Sequence, residues 1–206
     1  MASSSTDTRD RLLDSALSLF AEKGYEGTSI RELIERAQVT RPVVYYYFEK
    51  KEDLFRRLVE TWFEELLEDL DRALAKASDY RERLRALMYN AFEYAEREPR
   101  VVRLILQVFF SPGLQESHLN RIALWESRFR RVVAVMEEGR DAGDFEGREP
   151  EMLAMAFCGV MDMHVMARIQ RAHRKLTREL ADQLVDLFLR GTVVSEPTIR
   201  TGAEST

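Results

Sequence analysis

Apolar residues return at steps of three and four along almost the whole of this 206-residue chain, and no stretch alternates convincingly with a period of two. That pattern confines the fold to helices packed on helices, an all-α architecture of about nine elements. The first stripe is Leu12, Leu13, Ala16, Leu17 and Phe20, with Thr8 placed to cap its start and Gly24 placed to end it in a left-handed conformation. Ser29 and Glu32 have the spacing of a capping box, so a short second helix follows, with Ile30, Leu33 and Ile34 facing inward. The pattern lapses at Ala37-Gln38-Val39. A third helix then starts with Thr40 as cap and Pro42 in its first turn, where a missing N–H costs little, and ends near Phe48. A stripe from Leu54 to Leu74 specifies one helix from about residue 51 to about residue 77, about 40 Å long at 1.5 Å per residue. Further helices are expected over residues 80–97, 100–110, 114–142, 150–174 and 178–191. Pro99, Ser111-Pro112-Gly113 and residues 143–149 separate them. Residues 194–206 read as a flexible polar tail.

Several function classes fall away on composition. A single cysteine, Cys158, excludes an internal disulfide framework and a four-cysteine zinc site. The three histidines, His118, His164 and His173, lie far apart and none has a glutamate three residues before it, so neither a metal centre nor a di-iron bundle is expected. Phosphate-binding glycine loops and a Gly-x-Ser-x-Gly elbow are absent, which argues against an enzyme, and no cofactor is expected. The net charge is −5, with 31 basic against 36 acidic residues. A nucleic-acid binder that works by bulk charge is basic, so any DNA contact here must rest on a local arrangement. There is no run of 18 apolar residues, the nearest approach, residues 101–110, being broken by Arg103 and Gln107. Residues 1–7 lack the apolar centre of a secretory signal and read as a loose polar start. The expected compartment is the cytoplasm, with no membrane partner.

Residues 28–51 read TSIRELIERAQVTRPVVYYYFEKK, two short capped helices around a three-residue break, which is a helix-turn-helix. Its second helix would lie in a major groove with its first residues at the base edges. Thr40 and Arg41 stand at that start, and arginine can bond guanine bidentately. Tyr45 and Tyr46 offer hydroxyls for phosphates, and Lys51 a cation. Five cations, Arg31, Arg36, Arg41, Lys50 and Lys51, face three acids, Glu32, Glu35 and Glu49, so the segment is locally basic in an acidic chain. Successive helix positions differ by about 100°, so Tyr45, Tyr46 and Tyr47 cannot all face DNA, and at least one packs on the first helix. Arg36 reads as a solvated surface charge.

From Gly24 to Leu54 the sequence resembles the TetR family of one-component transcriptional regulators. The resemblance rests on Gly24, Gly27-Thr28-Ser29, Ile30-Arg31, Leu33, Ala37, Val39-Thr40, Tyr45, Phe48, Lys51 and Leu54 in register. It implies that Thr28, Tyr45 and Lys51 meet phosphates, and that Arg31, Thr40, Arg41, Pro42 and Tyr46 meet bases or sugar edges. Four positions depart from the family pattern. Gln38 replaces a turn glycine, Tyr47 a common histidine, Lys50 a capping residue, and Ile34 a smaller alanine. The implied organisation is a DNA-binding domain over residues 1–50 and a ligand-binding and dimerisation domain over residues 51–193.

One helix-turn-helix buries too little surface to bind a site tightly, whereas a two-fold homodimer doubles the contact and reads a palindrome. The eighth helix is apolar on most sides and the ninth carries a narrower stripe, so Met152, Met155, Met163, Met166, Leu184 and Phe188 are the expected dimer contacts. An ordinary core role for the eighth helix is compatible with this on its other faces. Methionine and aromatic side chains elsewhere could line an effector cavity: Met88, Tyr89, Phe92, Phe109, Phe110, Trp125, Phe129, Cys158, Met161 and Asp162. A filled core is the alternative for each of them, and Cys158 has no adjacent cations in sequence to make it reactive. The resulting expectation is a ligand-responsive regulator, a repressor that binds a palindromic double-stranded DNA operator as a homodimer. A small apolar or aromatic effector would release it. The alternative is a helical ligand-binding or interaction module that no longer binds DNA.

Overall fold

The computed structural model describes residues 2–110, 121–171 and 175–192. Among these residues every regular element is a helix: α1 (Ala2–Lys23), α2 (Ile30–Ala37), α3 (Arg41–Tyr47), α4 (Lys51–Leu74), α5 (Tyr80–Arg97), α6 (Pro99–Phe110), α7 (Arg121–Asp141), α8 (Pro150–Arg171) and α9 (Arg178–Thr192). The expected turn at residues 111–113, the start of the seventh helix at 114, and the polar tail lie outside the described residues, as do His118, His173 and the side chain of Phe110.

The helix ends follow local chemistry, with two corrections. Gly24 adopts φ 76° and its N–H reaches the Phe20 carbonyl at 2.9 Å, closing α1 as expected. Its other end is different. α1 begins at Ala2, so Thr8 is inside the helix and its hydroxyl accepts from Arg11 at 3.4 Å instead of capping. Residues 2–7 contain no glycine or proline, and none costs a helix more than about 0.7 kcal/mol relative to alanine, so no breaker stops the helix earlier. The capping box of α2 is complete, with Ser29 accepting from the Glu32 N–H while the Glu32 carboxylate accepts from the Ser29 N–H at 2.9 Å. Thr40 is the second correction. Its backbone is extended as a cap requires, but its hydroxyl makes no capping bond. Pro42, the second residue of α3, brings no N–H for it, and the first turn is held by the Thr40 carbonyl, which accepts from Val43 and Val44.

Two packed regions share α4, which at 24 residues is about 36 Å long. At its first turns Phe55 meets Phe20 edge-on with centroids 5.1 Å apart, and Tyr25 lies 4.8 Å from the same ring. Leu12, Leu17, Leu33, Val44, Leu54 and Leu58 are buried around them and fasten α1, α2 and α3 to α4. Further along, α5 runs through the centre of the larger region, burying Leu84, Leu87, Met88 and Phe92 against Val135, Met136, Leu153, Phe157 and Val185. Burial of each such side chain contributes about 1.5–3 kcal/mol. α6 also touches the small region. Arg100 reaches Ser18 at 2.7 Å and Asp14 at 3.0 Å, and the Gln107 amide donates to the Ala21 carbonyl at 3.4 Å.

α8 divides its apolar surface between two faces. Leu153, Ala154, Phe157, Cys158, Met161 and Val165 are buried, while Met152, Met155, Val160 and Met163 are exposed. Among the described residues α8, not residues 101–110, is the helix long and apolar enough to cross a membrane, but one whole side of it is occupied by the protein core.

Candidate functional site

The turn between α2 and α3 is set by Gln38, whose φ of 54° and ψ of 46° are left-handed. Its N–H and that of Val39 both reach the Ile34 carbonyl. The turn therefore keeps its shape without glycine. It delivers Thr40, Arg41 and Pro42, all exposed, at the start of α3. Tyr45 and Tyr46 are exposed on the same helix, whereas Tyr47 is half-buried against the core and meets Tyr46 edge-on at 5.0 Å. The three tyrosines are thus divided as helical geometry requires. Arg41 leans over the Tyr45 ring at 5.7 Å, which orients the guanidinium along the exposed face. Arg31 is exposed and pairs with Glu35 at 2.9 Å, and Arg36 is held by Glu22 through two bonds of 3.0 and 3.1 Å.

Two of the residues expected to meet phosphates also make bonds within the chain. Thr28 is buried, and its hydroxyl donates to the Gly24 carbonyl at 2.8 Å, so it shapes the turn after α1 and presents no hydroxyl outward. Lys51 is half-exposed and leans on the same turn. Its ammonium donates to the Tyr25 and Thr28 carbonyls at 3.0 and 3.1 Å and sits 4.2 Å over the Tyr25 ring. The cause is shared: the turn after α1 leaves carbonyls without helical partners, and these two side chains supply the donors.

In the larger region a cavity of about 70 Å³ lies between α4, α5, α6, α7 and α8. Leu66, Leu70, Leu87, Ile105, Leu106 and Met161 make its walls apolar, and Asn90, Tyr94, Arg128 and Asp162 supply the polar groups. Arg128 reaches Asp162 at 2.5 Å. Of the expected lining residues, Met161 and Asp162 are present. Met88 and Phe92 are packed into the core, and Phe92 faces the His164 ring at 6.3 Å. Phe109 packs toward Phe63 at 6.4 Å. Trp125 and Phe129 stack on each other at 4.5 Å, with Trp125 exposed. Tyr89 belongs to a separate polar cleft of about 400 Å³ with Arg72, Lys76, Arg97 and Arg178, and its hydroxyl donates to Asp182. Cys158 is buried, which pushes its thiol up to about 11 against the opposing pull of Arg128. The side chains from α4 and α6 were missed because apolar stripes do not show which members border a void. Arg128 was missed because it sits in a run with Arg130 and Arg131, and nothing in that run marks the one that turns inward.

The expected dimer residues also divide. Met152, Met155 and Met163 are exposed, and Met166 is half-buried. Leu184 and Phe188 are half-buried with one side on the core, Phe188 edge-on to Phe157 at 5.2 Å, and Leu187 is the large apolar residue that α9 exposes. Ala181, Val185 and Leu189 form the buried edge of α9, next to that stripe.

The family model for bacterial regulatory proteins of the tetR family matches residues 12–58, and the model for a tetracyclin repressor-like C-terminal domain matches residues 77–192. The HTH-type transcriptional activator FasR of Mycolicibacterium smegmatis is 31% identical over 101 residues, which cover 49% of this chain and 46% of that protein. The biofilm operon negative transcriptional regulator IcaR of Staphylococcus epidermidis is 33% identical over 64 residues, covering 31% of this chain and 35% of IcaR. The chain thus spans less than half the length of these curated relatives. Among solved structures, the regulator FadR of Bacillus subtilis in complex with stearoyl-CoA superposes with a TM-score of 0.73 at 19% identity, covering 88% of this chain and 97% of FadR. At that identity the likeness is one of fold.

Proposed function

The chain belongs to the TetR family of bacterial regulatory proteins, and on that premise we propose that it is a cytoplasmic, ligand-responsive repressor that binds a palindromic operator as a homodimer. It acts in transcription regulation and is not an enzyme. The observation that carries the DNA reading is the start of α3, where Thr40, Arg41 and Pro42 are exposed beside Tyr45 and Tyr46 on a turn fixed by Gln38. The Thr40 hydroxyl, unused as a cap, is available to a phosphate, and Arg41 to a guanine. Thr28 and Lys51 support this surface through their bonds to the turn after α1. Gln38 preserves the left-handed turn, so the substitution gives no reason to prefer a module that has lost DNA binding.

The effector enters the cavity among α4 to α8 by widening it beyond its present volume of about 70 Å³, and is apolar or aromatic over most of its surface, because the walls are. Two elements connect that cavity to the reading head. α4 lines it with Leu66 and Leu70 and packs Leu54 and Phe55 into the head. α6 lines it with Ile105 and Leu106 and holds α1 through Arg100 and Gln107. An effector that prefers a different setting of α4 and α6 changes the separation of the two heads from the one-turn spacing of about 34–36 Å that a palindrome requires. The α8 face supplies the dimer contact.

The test is a mobility shift on a palindromic duplex selected from a random pool by the wild-type protein. Arg41→Ala with Tyr46→Ala is expected to weaken binding at least about tenfold while leaving thermal stability unchanged, since both side chains are exposed. Unchanged affinity of the double variant removes α3 as the reading helix.

A further inference from the structure

We propose that the effector carries a carboxylate on a hydrocarbon body, and that Arg128 receives it by giving up Asp162; this rests on the cavity reading above. Arg128 and Asp162 are the charged groups on an otherwise apolar wall, with neutral Asn90 and Tyr94 as the remaining polar lining. Guanidinium presents five N–H donors in a planar fork that matches a carboxylate through two parallel bonds. Here it meets Asp162 through one, Nη2 to Oδ1 at 2.5 Å, with the neutral Cys158 thiol as a further contact. The pair is therefore made at less than the valence of the fork.

Exposure decides which partner is replaceable. The Asp162 side chain retains 40% of its accessible surface and the Arg128 side chain 26%. Asp162 can rotate toward water and be solvated there. Arg128, more enclosed, keeps its charge and needs an acid. The neighbouring Cys158 thiol is neutral near pH 7 and offers it no charge. A cationic effector is the poorer fit. Bound to Asp162, it would draw away the acid that Arg128 needs and place a second positive charge beside it. The exchange of one carboxylate for another keeps Arg128 paired and fills the fork, while Asp162 carries its charge out to water. It also places the hydrocarbon body against Leu66, Leu70, Ile105 and Leu106, the residues of the two elements that reach the head.

The experiment is calorimetric titration of the full chain at pH 7.5 with octanoate, 1-octanol and octylamine, three headgroups on one chain length. Octanoate is expected to bind at least about tenfold more tightly than octanol, as for a charge-assisted bidentate contact. Arg128→Met is expected to abolish that preference and leave octanol affinity within about twofold, which also reports a folded cavity. Arg128→Lys, which keeps the charge without the fork, reduces the preference and serves if the methionine variant does not fold. Asp162→Asn removes the competitor and tightens octanoate. Equal affinity for octanoate and octanol, tightest binding of octylamine, or a preference that survives Arg128→Met overturns the carboxylate assignment while the cavity stands. Failure of all three probes to bind removes the cavity reading itself, and this proposal with it.

Discussion

Gln38 holds a conformation that costs a residue with a Cβ about 1–2 kcal/mol relative to a right-handed one, and two N–H bonds to the Ile34 carbonyl hold it there. Gln38→Gly relieves that strain and adds some chain entropy to the unfolded state, so the net effect is a gain of up to about 1 kcal/mol. Urea unfolding measures it as a higher midpoint at unchanged slope. A lower midpoint would mean that the glutamine side chain contributes more than its backbone costs. The family resemblance marked this position, where Gln38 stands in place of a turn glycine, but left open whether the turn keeps a positive φ or takes another shape, and the structure shows the former. The bonds of Thr28 and Lys51 to the turn after α1 were not legible in the sequence. Both are set by where unpaired carbonyls lie in space, and a sequence pattern records side-chain identity without that direction.

At the scale of the element, α2 is the best-specified helix, since Ser29 and Glu32 satisfy each other's backbone donors. A hydrogen bond from Lys23, then bonds from the Ser29 N–H and hydroxyl, hold the Glu32 carboxyl down at about 2. Its folded value lies below the unfolded one of about 4.3, so the carboxylate form favours the fold. That contribution is complete above the unfolded value and is lost as the pH falls through the folded one. Comparing wild type with Glu32→Gln from pH 6 to pH 2 checks this. The stability difference is expected to be largest at pH 6 and to shrink toward pH 2, and a difference independent of pH would assign the loss to something other than the charge. α1 shows the opposite limit of legibility. Its threonine cap was misplaced because a polar serine-rich start carries no signal strong enough to stop a helix. α9 was legible in extent, but not how its stripe divides between core and surface, because Leu184 and Phe188 lie beside the buried edge of Ala181, Val185 and Leu189.

At the scale of the whole molecule, helix order and length were legible because each needs only its own periodicity, while the cavity was not, because it forms where the faces of five helices converge. The α8 face stands between these cases. Its apolarity on most sides is visible in the sequence, and the structure separates the side the protomer uses from the side it leaves. Met152, Met155, Val160 and Met163 lie on that second side, and Leu187 of α9 is also exposed. Gly159 lies among them, and a Cβ there would meet nothing within 4 Å among the described residues, which leaves room for another helix to approach closely. Two copies related by a two-fold axis would each bury this face, gaining about 1.5–3 kcal/mol for each large side chain removed from water. Met155→Lys with Met163→Lys places two charges where they stay solvated in a protomer and become unpaired in a dimer. Light scattering at micromolar concentration is expected to give the mass of one chain for this variant and two for the wild type, with unchanged helicity. Operator affinity should fall more than about a hundredfold, because one head on one half-site gives up the second set of contacts. A variant that stays dimeric moves the interface elsewhere on the molecule. A wild type that is monomeric leaves a single head too small to hold a site, and the regulator would then need a different partner to cover α8.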